Sequence, residues 1–348
     1  MAQFDYETTL EELCKSEISD SLRMLSMHKG KQAAYETIYP DELGGLVEVA
    51  KIQSTSMSNK IENISTSNER LAALMRDKAE PKNRDEREIA GYRYVLDLIH
   101  ESYDAIPVTP NVILQLHRDL YRFEDSSFAG KWKDADNVIA ERAEDGQMVT
   151  RFKPTSAAAT PIAIDKICGE LAAQIQAKTY DPLLISLVWI FDFVSIHPFN
   201  DGNGRMSRLL TLLLLYKNGH TVGKYISIEK EIERTKETYY EALAASSDGW
   251  QDGRNDYGPF VTYMLGVLTS CYKELDQRMA LLRNADNNYE LLRAFLGGSL
   301  RSMTKREIMD ANPSISQRTI ERILKRLQNE GLVEKVGAAR ATAYRWKR

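Results

Sequence analysis

The chain holds only three cysteines in 348 residues, Cys14, Cys168 and Cys271. An odd number without metal-ligand spacing argues against a disulfide framework and a thiolate metal site, and predicts reduced, buried thiols. No apolar run approaches the roughly 20 residues that a helix needs to cross a bilayer. The longest lie around Leu183 to Phe193 and Leu209 to Leu215. The opening residues, Met1 to Glu7, lack the basic-then-apolar order of a signal peptide. These absences predict a cytoplasmic protein with no membrane partner. A composition that is 43% hydrophobic and 28% charged excludes disordered and collagen-like classes. The length allows two or three domains. The net charge of -4 is small but uneven: residues 289–348 carry 13 Lys+Arg against 6 Asp+Glu, whereas the preceding 288 carry 33 against 44. The basic C-terminal segment is chemically a different object.

Against this ordinary background, one stretch asks for more than packing. His197-Pro198-Phe199-Asn200-Asp201-Gly202-Asn203-Gly204-Arg205-Met206-Ser207-Arg208 puts an imidazole, a carboxylate, two glycines, an amide and two guanidinium groups between two apolar segments. Each residue type has a task if the stretch holds a phosphorylated ligand. Gly202 and Gly204 let backbone N–H groups come close to an anion. A helix opening at Gly204 and running to Asn218 adds unpaired donors and a partial positive charge. Arg205 and Arg208, three apart, share a face, and their planar forks suit phosphate oxygens. Asp201 beside a phosphate points to Mg²⁺ between them, because that ion takes one or two carboxylates plus phosphate oxygens. His197 is a base near neutral pH. Taken singly, each has an ordinary reading: a core histidine, a Gly-Asn-Gly turn, a solvated helix face. Together they point to chemistry.

The stretch resembles the signature of the Fic (Fido) family, His-x-Phe-x-Asp/Glu-Gly-Asn-Gly-Arg-x-x-Arg, and fills every fixed position. The resemblance implies a protein adenylyltransferase that transfers AMP from ATP to a protein Ser, Thr or Tyr hydroxyl. In that family pattern His197 deprotonates the hydroxyl and Asp201 holds Mg²⁺ against the α and β phosphates. Gly202, Asn203 and Gly204 line the anion hole, Arg205 contacts the β side, Arg208 the γ-phosphate, and Phe199 is a buried anchor. It also implies an inhibitory helix of pattern Ser/Thr-x-x-x-Glu-Gly/Asn, matched by Ser58, Glu62 and Asn63. Locally Glu62 reads as a surface carboxylate; in the family pattern it pairs with Arg208 and inhibits in cis.

Along the rest of the chain, residues 1–40 show a helical repeat of Leu10, Cys14, Ile18, Leu22 and Leu25. Leu46 to Ser67 carries another, through Leu46, Ala50, Met57 and Ile61. Helices are predicted over Arg84 to Glu101 and, opened by Thr109-Pro110, over Asn111 to Tyr121. Asn137 to Phe152, with Asp145-Gly146 at its centre, reads as a β-hairpin. In the family such a hairpin is a flap that pairs with the target segment. Helices follow over Ile162 to Ala177, before the motif behind Asp181-Pro182, over Glu229 to Ala245 and over Pro259 to Ala285. Tyr239, Tyr240, Asn255 and Tyr257 are candidates either for a nucleobase pocket, with Tyr240 foremost, or for packing. His28, His100, His117 and His220 show no metal-site spacing and read as structural or surface residues.

Tyr289 to Leu296, Thr304 to Ala311 and Ser316 to Glu330, then a hairpin over Leu332 to Lys335 and Ala341 to Trp346 with a turn at Gly337, resemble a winged helix-turn-helix. Arg318, Arg322, Lys325 and Arg326 on its third helix could meet DNA, or the module could serve protein contacts or a homodimer. The expected architecture is therefore mainly α: an N-terminal region with an inhibitory helix (1–80), a Fic helical domain with a β-hairpin flap (81–285) and a winged helix (289–348). The expected partners are ATP, Mg²⁺ and a protein target that could be the chain itself. Two further readings stand beside adenylylation: a deAMPylase that uses Glu62, and a nucleotide-sensing DNA-binding regulator.

Overall fold

The computed structural model describes residues 4–14, 16–76, 79–142, 148–297, 299, 301–313, 315–337 and 342–347. The chain divides into two compact units, residues 1–275 and 276–348. The first begins with α1 (Tyr6–Leu13), α2 (Ser16–Ile38), α3 (Pro40–Ile61) and α4 (Asn68–Met75). The repeat over residues 1–40 thus falls on two helices: α1 ends at Leu13, with Cys14 as its C-cap. Leu10, Ile18, Leu22 and Leu25 are buried as the periodicity requires; Cys168 and Cys271 are buried as expected, but Cys14, expected to be buried, is exposed because it caps the helix end. α3 starts at Pro40 and stops at Ile61, earlier than the repeat suggested, because Asn63 takes a left-handed backbone (φ 62°) that ends the helix.

Next come α5 (Arg84–Ser102), α6 (Pro110–Leu120), the hairpin β1 (Ile139–Arg142) and β2 (Met148–Phe152), and α7 (Thr160–Ala177). Thr109 caps α6 by accepting from the Val112 N–H, with Pro110 in the first turn, as its sequence signal predicts. The hairpin is antiparallel with a register shift between Ile139 and Ala140; its expected Asp145-Gly146 turn lies outside the described residues. α8 (Pro182–Ile196) and α9 (Asn203–Lys217) form the centre. Asp181 caps α8 through the Leu183 N–H. Nearly every side chain of the two helices is buried, so they read as continuous apolar runs and not as amphipathic stripes. α7 and α9 pack on α8, and α5 and α10 (Ile228–Arg234) pack on α3.

The predicted helix over Glu229 to Ala245 is two, α10 and α11 (Lys236–Ser247). Thr235 makes the break: its hydroxyl donates to the Glu231 carbonyl at 2.8 Å and lies 2.8 Å from the Tyr263 hydroxyl. Conversely, Pro259 to Ala285 and Tyr289 to Leu296 are one helix, α12 (Gly258–Gly297). No proline or glycine lies between Ala285 and Tyr289 to interrupt it.

The second unit contains β3 (Met303–Thr304), α13 (Lys305–Ala311), α14 (Gln317–Asn329), β4 (Val333–Val336) and β5 (Ala343–Trp346). The strands form an antiparallel sheet in the order β3-β5-β4. Leu292, Leu296, Ile308, Ile320, Leu324 and Leu327 lie in its core. Arg318, Arg322 and Lys325 are exposed on α14. Among the described residues, no helix is long and apolar enough to cross a membrane.

Candidate active site

The motif occupies the turn between α8 and α9. His197 closes α8 in a left-handed conformation (φ 52°, ψ 62°) with its N–H on the Phe193 carbonyl, and Gly202 opens α9 at φ 81°. Between them the loop hangs on Phe199, which is fully buried. Its ring stacks on His117 with centroids 3.7 Å apart. Asn203 satisfies both backbone groups of Phe199: Oδ1 accepts the N–H at 2.9 Å and Nδ2 donates to the carbonyl at 2.8 Å. Predicted as an anion-hole residue, Asn203 thus has a side chain that braces the loop. Its backbone N–H lies with those of Gly204 and Arg205 in the first turn of α9, where N–H groups lack intrahelical partners.

His117, which the sequence left among structural residues, holds the far end of the loop. Nδ1 accepts the Gly130 N–H at 3.0 Å and Nε2 lies 3.1 Å from the Asp201 carbonyl, so the ring is neutral with its proton on Nε2. Burial pushes its pKa down to about 4, consistent with that tautomer. The signal for this role was only Thr109-Pro110, which starts α6 and so places His117 on its buried face.

Glu62, His197, Gly204, Arg208, Tyr240 and Trp250 line one cavity of about 690 Å³. β1 and β2 reach it through Ile139, Arg151 and Phe152, and Arg151 donates to the Tyr240 carbonyl. Tyr239 also lines it, whereas Tyr257 turns to the buried Asp192, donating to Oδ1 at 2.9 Å beside the Trp250 Nε1 at 2.8 Å. Asn255 is not among the lining residues.

Burial, followed by the positive charge of Lys133, lowers the His197 pKa to about 4, while Val194, Glu62 and Asp201 oppose the shift. The imidazole is therefore neutral at pH 7, the form a general base needs. Asp201 keeps its side chain 43% exposed; Oδ1 accepts the Gly202 N–H at 2.7 Å and Oδ2 lies 3.3 Å from Arg84. Among the described residues, no three His, Cys, Asp or Glu side chains are grouped to hold a metal ion. One accessible hard carboxylate nevertheless fits Mg²⁺ completed by phosphate oxygens and water.

The two motif arginines differ. Arg208 is buried and faces the cavity: Nε donates to Ser58 Oγ, and Nη2 to the Ser58 carbonyl and to Glu62 Oε1, each at 2.8 Å. Arg205 is 1% exposed, with Nη1 2.6 Å from Glu88 Oε2 and Nη2 donating to the Tyr121 hydroxyl at 2.8 Å. It lines a smaller cavity of about 280 Å³ beside Asp201. Glu88 carried no sequence signal beyond the helical repeat of α5.

Ser58 and Glu62 meet the motif at the end of α3, and Asn63 follows them. Asn63 explains the Gly/Asn position: its φ of 62° suits those two residue types. The bonds Asn63 N–H to Lys60 carbonyl and Ile64 N–H to Asn59 carbonyl close the helix so that Glu62 turns inward. A Cβ on Gly204 would lie 2.1 Å from Glu62 Oε1. The carboxylate thus presses against the first turn of α9.

The fold and site define a helical protein with a glycine-bearing turn that opens a buried helix, a neutral histidine at one end of that turn and a carboxylate set against the helix's first turn. Residues 107–215 match the Fic/DOC family, and the chain carries a Fic domain there. It is 28% identical over 187 residues to the protein adenylyltransferase fic-1 of Caenorhabditis elegans, an alignment covering 52% of this chain and 32% of that protein. It is 34% identical over 89 residues to the protein adenylyltransferase Fic of Aedes aegypti, covering 26% and 15%. The chain thus spans about a third or less of these relatives. A crystal structure of a Fic family protein from Desulfovibrio desulfuricans superposes with a TM-score of 0.64 at 22% identity, covering 96% of both chains.

Proposed function

We propose that this protein transfers AMP from ATP to a hydroxyl of a protein and is held inactive by its own Glu62. The observation that carries the reading is that a neutral His197, the open first turn of α9 and Arg208 line one cavity. The target hydroxyl gives its proton to His197 and its oxygen bonds to the α-phosphorus. The bond from that phosphorus to the bridging oxygen breaks, and pyrophosphate leaves. Backbone N–H groups of residues 203–205 and the α9 dipole stabilise the charge on the phosphates. Asp201 would hold Mg²⁺, which supplies charge neutralisation on the phosphate oxygens when bound. Arg205, braced by Glu88 and Tyr121, keeps the underside of the loop in place. Tyr240 and Trp250 offer aromatic surface to the base, and β1 and β2 give a target segment a strand edge to pair with.

Glu62 opposes this in two ways. It engages the Arg208 guanidinium that the distal phosphate needs, and it sets a negative charge against Gly204. A misplacement of about 1 Å in the reacting atoms costs on the order of a hundredfold in rate. With radiolabelled ATP, Glu62→Gly is expected to raise protein labelling at least tenfold, and the added change His197→Ala to abolish it. Unchanged labelling in Glu62→Gly would remove the inhibition. Loss of a phosphodiesterase activity in that variant would instead assign the reverse reaction, removal of AMP.

A further inference from the structure

Lys133 belongs to no motif, yet it is 3% exposed and sits against the loop that carries His197. Its Nζ donates to the Ile196 carbonyl at 3.1 Å and to Asn137 Oδ1 at 2.9 Å. Its backbone N–H donates to the Pro198 carbonyl at 2.9 Å. The residues immediately before and after His197 are thus both held by one lysine. Two further bonds run alongside: Asn137 Nδ2 to the Phe199 carbonyl at 3.4 Å and Asn200 Nδ2 to Asp134 Oδ1 at 3.1 Å. Residues 133–137 are the lead-in to β1, which starts at Ile139. At its other end, Asp136 Oδ1 accepts the Ala157 N–H at 2.7 Å, just beyond β2.

A left-handed backbone is unfavourable for a residue with a Cβ, and it persists only where the surroundings impose it. His197 is one of three such non-glycine residues among those described. A buried ammonium is also unfavourable unless its donors are used. Burial lowers the pKa of Lys133 to about 8, with Asp136 opposing, so the group remains mostly charged at neutral pH. A methionine would fill the same space without that cost, which makes the charge and its donors the part requiring an explanation.

We infer that Lys133 is the positioning residue of the general base: by holding the carbonyls on both sides of His197, it fixes the imidazole and joins the root of the hairpin to the catalytic loop as one piece. A target segment registered on the hairpin is thereby registered on the imidazole. The inference rests on the proposed role of His197 in the transfer reaction. ATP needs α9 and Arg208, which Lys133 does not touch, so its removal acts on turnover and leaves nucleotide binding intact.

The test uses the full chain in the Glu62→Gly background. Lys133→Met keeps the backbone bond and the volume but loses the ammonium. Its kcat is expected to fall on the order of thirtyfold or more, with KM for ATP and the calorimetric affinity for a non-hydrolysable ATP analogue within about twofold. Lys133→Arg, which keeps a cationic donor, should recover part of the loss. At a fixed pH the His197 ring resonances should move in Lys133→Met while those of His28 stay in place. A kcat within twofold of the parent, an ATP affinity that falls in parallel with kcat, or His197 resonances that do not move would each overturn the inference. If Lys133→Met does not fold, Asn137→Ala, which frees the ammonium, carries the same expected signs with a loss of about fivefold. If the Glu62→Gly parent shows no transfer, the proposed reaction fails, and the His197 resonances still decide whether Lys133 sets the ring.

Discussion

At the scale of single residues, the site is a set of buried polar groups whose pairing decides their chemistry. His197 is neutral because it is buried and near the Lys133 cation, which the carboxylates of Glu62 and Asp201 offset only in part. The kcat/KM profile of the Glu62→Gly variant should therefore be flat from about pH 7 downward and lose activity only as the pH falls towards about 4, where the base becomes protonated. An acid limb near 6.5, the value of a free histidine, would show that the ring is solvated in the working enzyme. Glu88 illustrates the opposite case, a carboxylate whose partner is Arg205, with both side chains at most 2% exposed. Removing one member of such a pair leaves a buried charge unmatched and costs roughly 3–5 kcal/mol. Glu88→Ala should thus lower the unfolding free energy measured by denaturant titration by that amount and loosen the Gly202 loop, read as weaker nucleotide affinity in calorimetry. The motif side chains were legible in the sequence because their types and spacing are improbable together. Glu88, His117 and Lys133 were not, because a lone charged or imidazole group on a helix or in a loop looks the same whether it faces water or a catalytic turn.

At the scale of elements, close approach of helices sets where the loop sits. α5 and α6 pack at Gly91, where an added Cβ would lie 1.8 Å from the Leu120 backbone carbonyl oxygen. Backbone cannot give way as a flexible side chain can. Gly91→Ala should destabilise the protein by roughly 3 kcal/mol and shift α6, and with it His117 and Tyr121 beneath the motif; chemical denaturation measures the first and loss of ATP binding the second. The starts of α6 and α8 were readable from Thr109-Pro110 and Asp181-Pro182, since caps are local chemistry. The break at Thr235 and the unbroken α12 were not, because each depends on whether a neighbour such as Tyr263 offers a partner or whether nothing interrupts the helix.

For the molecule as a whole, buried titratable groups set the pH range of stability. Burial holds His100 at about 3 and His117 and His220 at about 4, all below the ordinary histidine value near 6.5. The unfolded chain then binds more protons than the folded one below that value, so stability is complete above pH 6.5 and is lost as the pH falls towards 4. Asp192 has the opposite sign: burial raises it to about 7, so its contribution is complete below about pH 4 and is lost as the pH rises through 7. Melting temperatures should fall between pH 7 and pH 4, and Asp192→Asn should fall more steeply over the same window, because the offsetting carboxyl is gone. A parallel pair of curves would contradict the Asp192 assignment.

By itself the sequence determined that this is a mainly helical protein with a dense polar turn at 197–208 and a basic C-terminal module, because helix periodicity, caps and glycine placement are written in neighbouring residues. Only the tertiary structure decided that Glu62 sits against Gly204, that Arg205 turns to Glu88 while Arg208 faces the cavity, and that Lys133 grips the loop that carries His197. Those contacts join residues tens to well over a hundred positions apart, and a charge declares its partner only when the chain has folded to place one beside it.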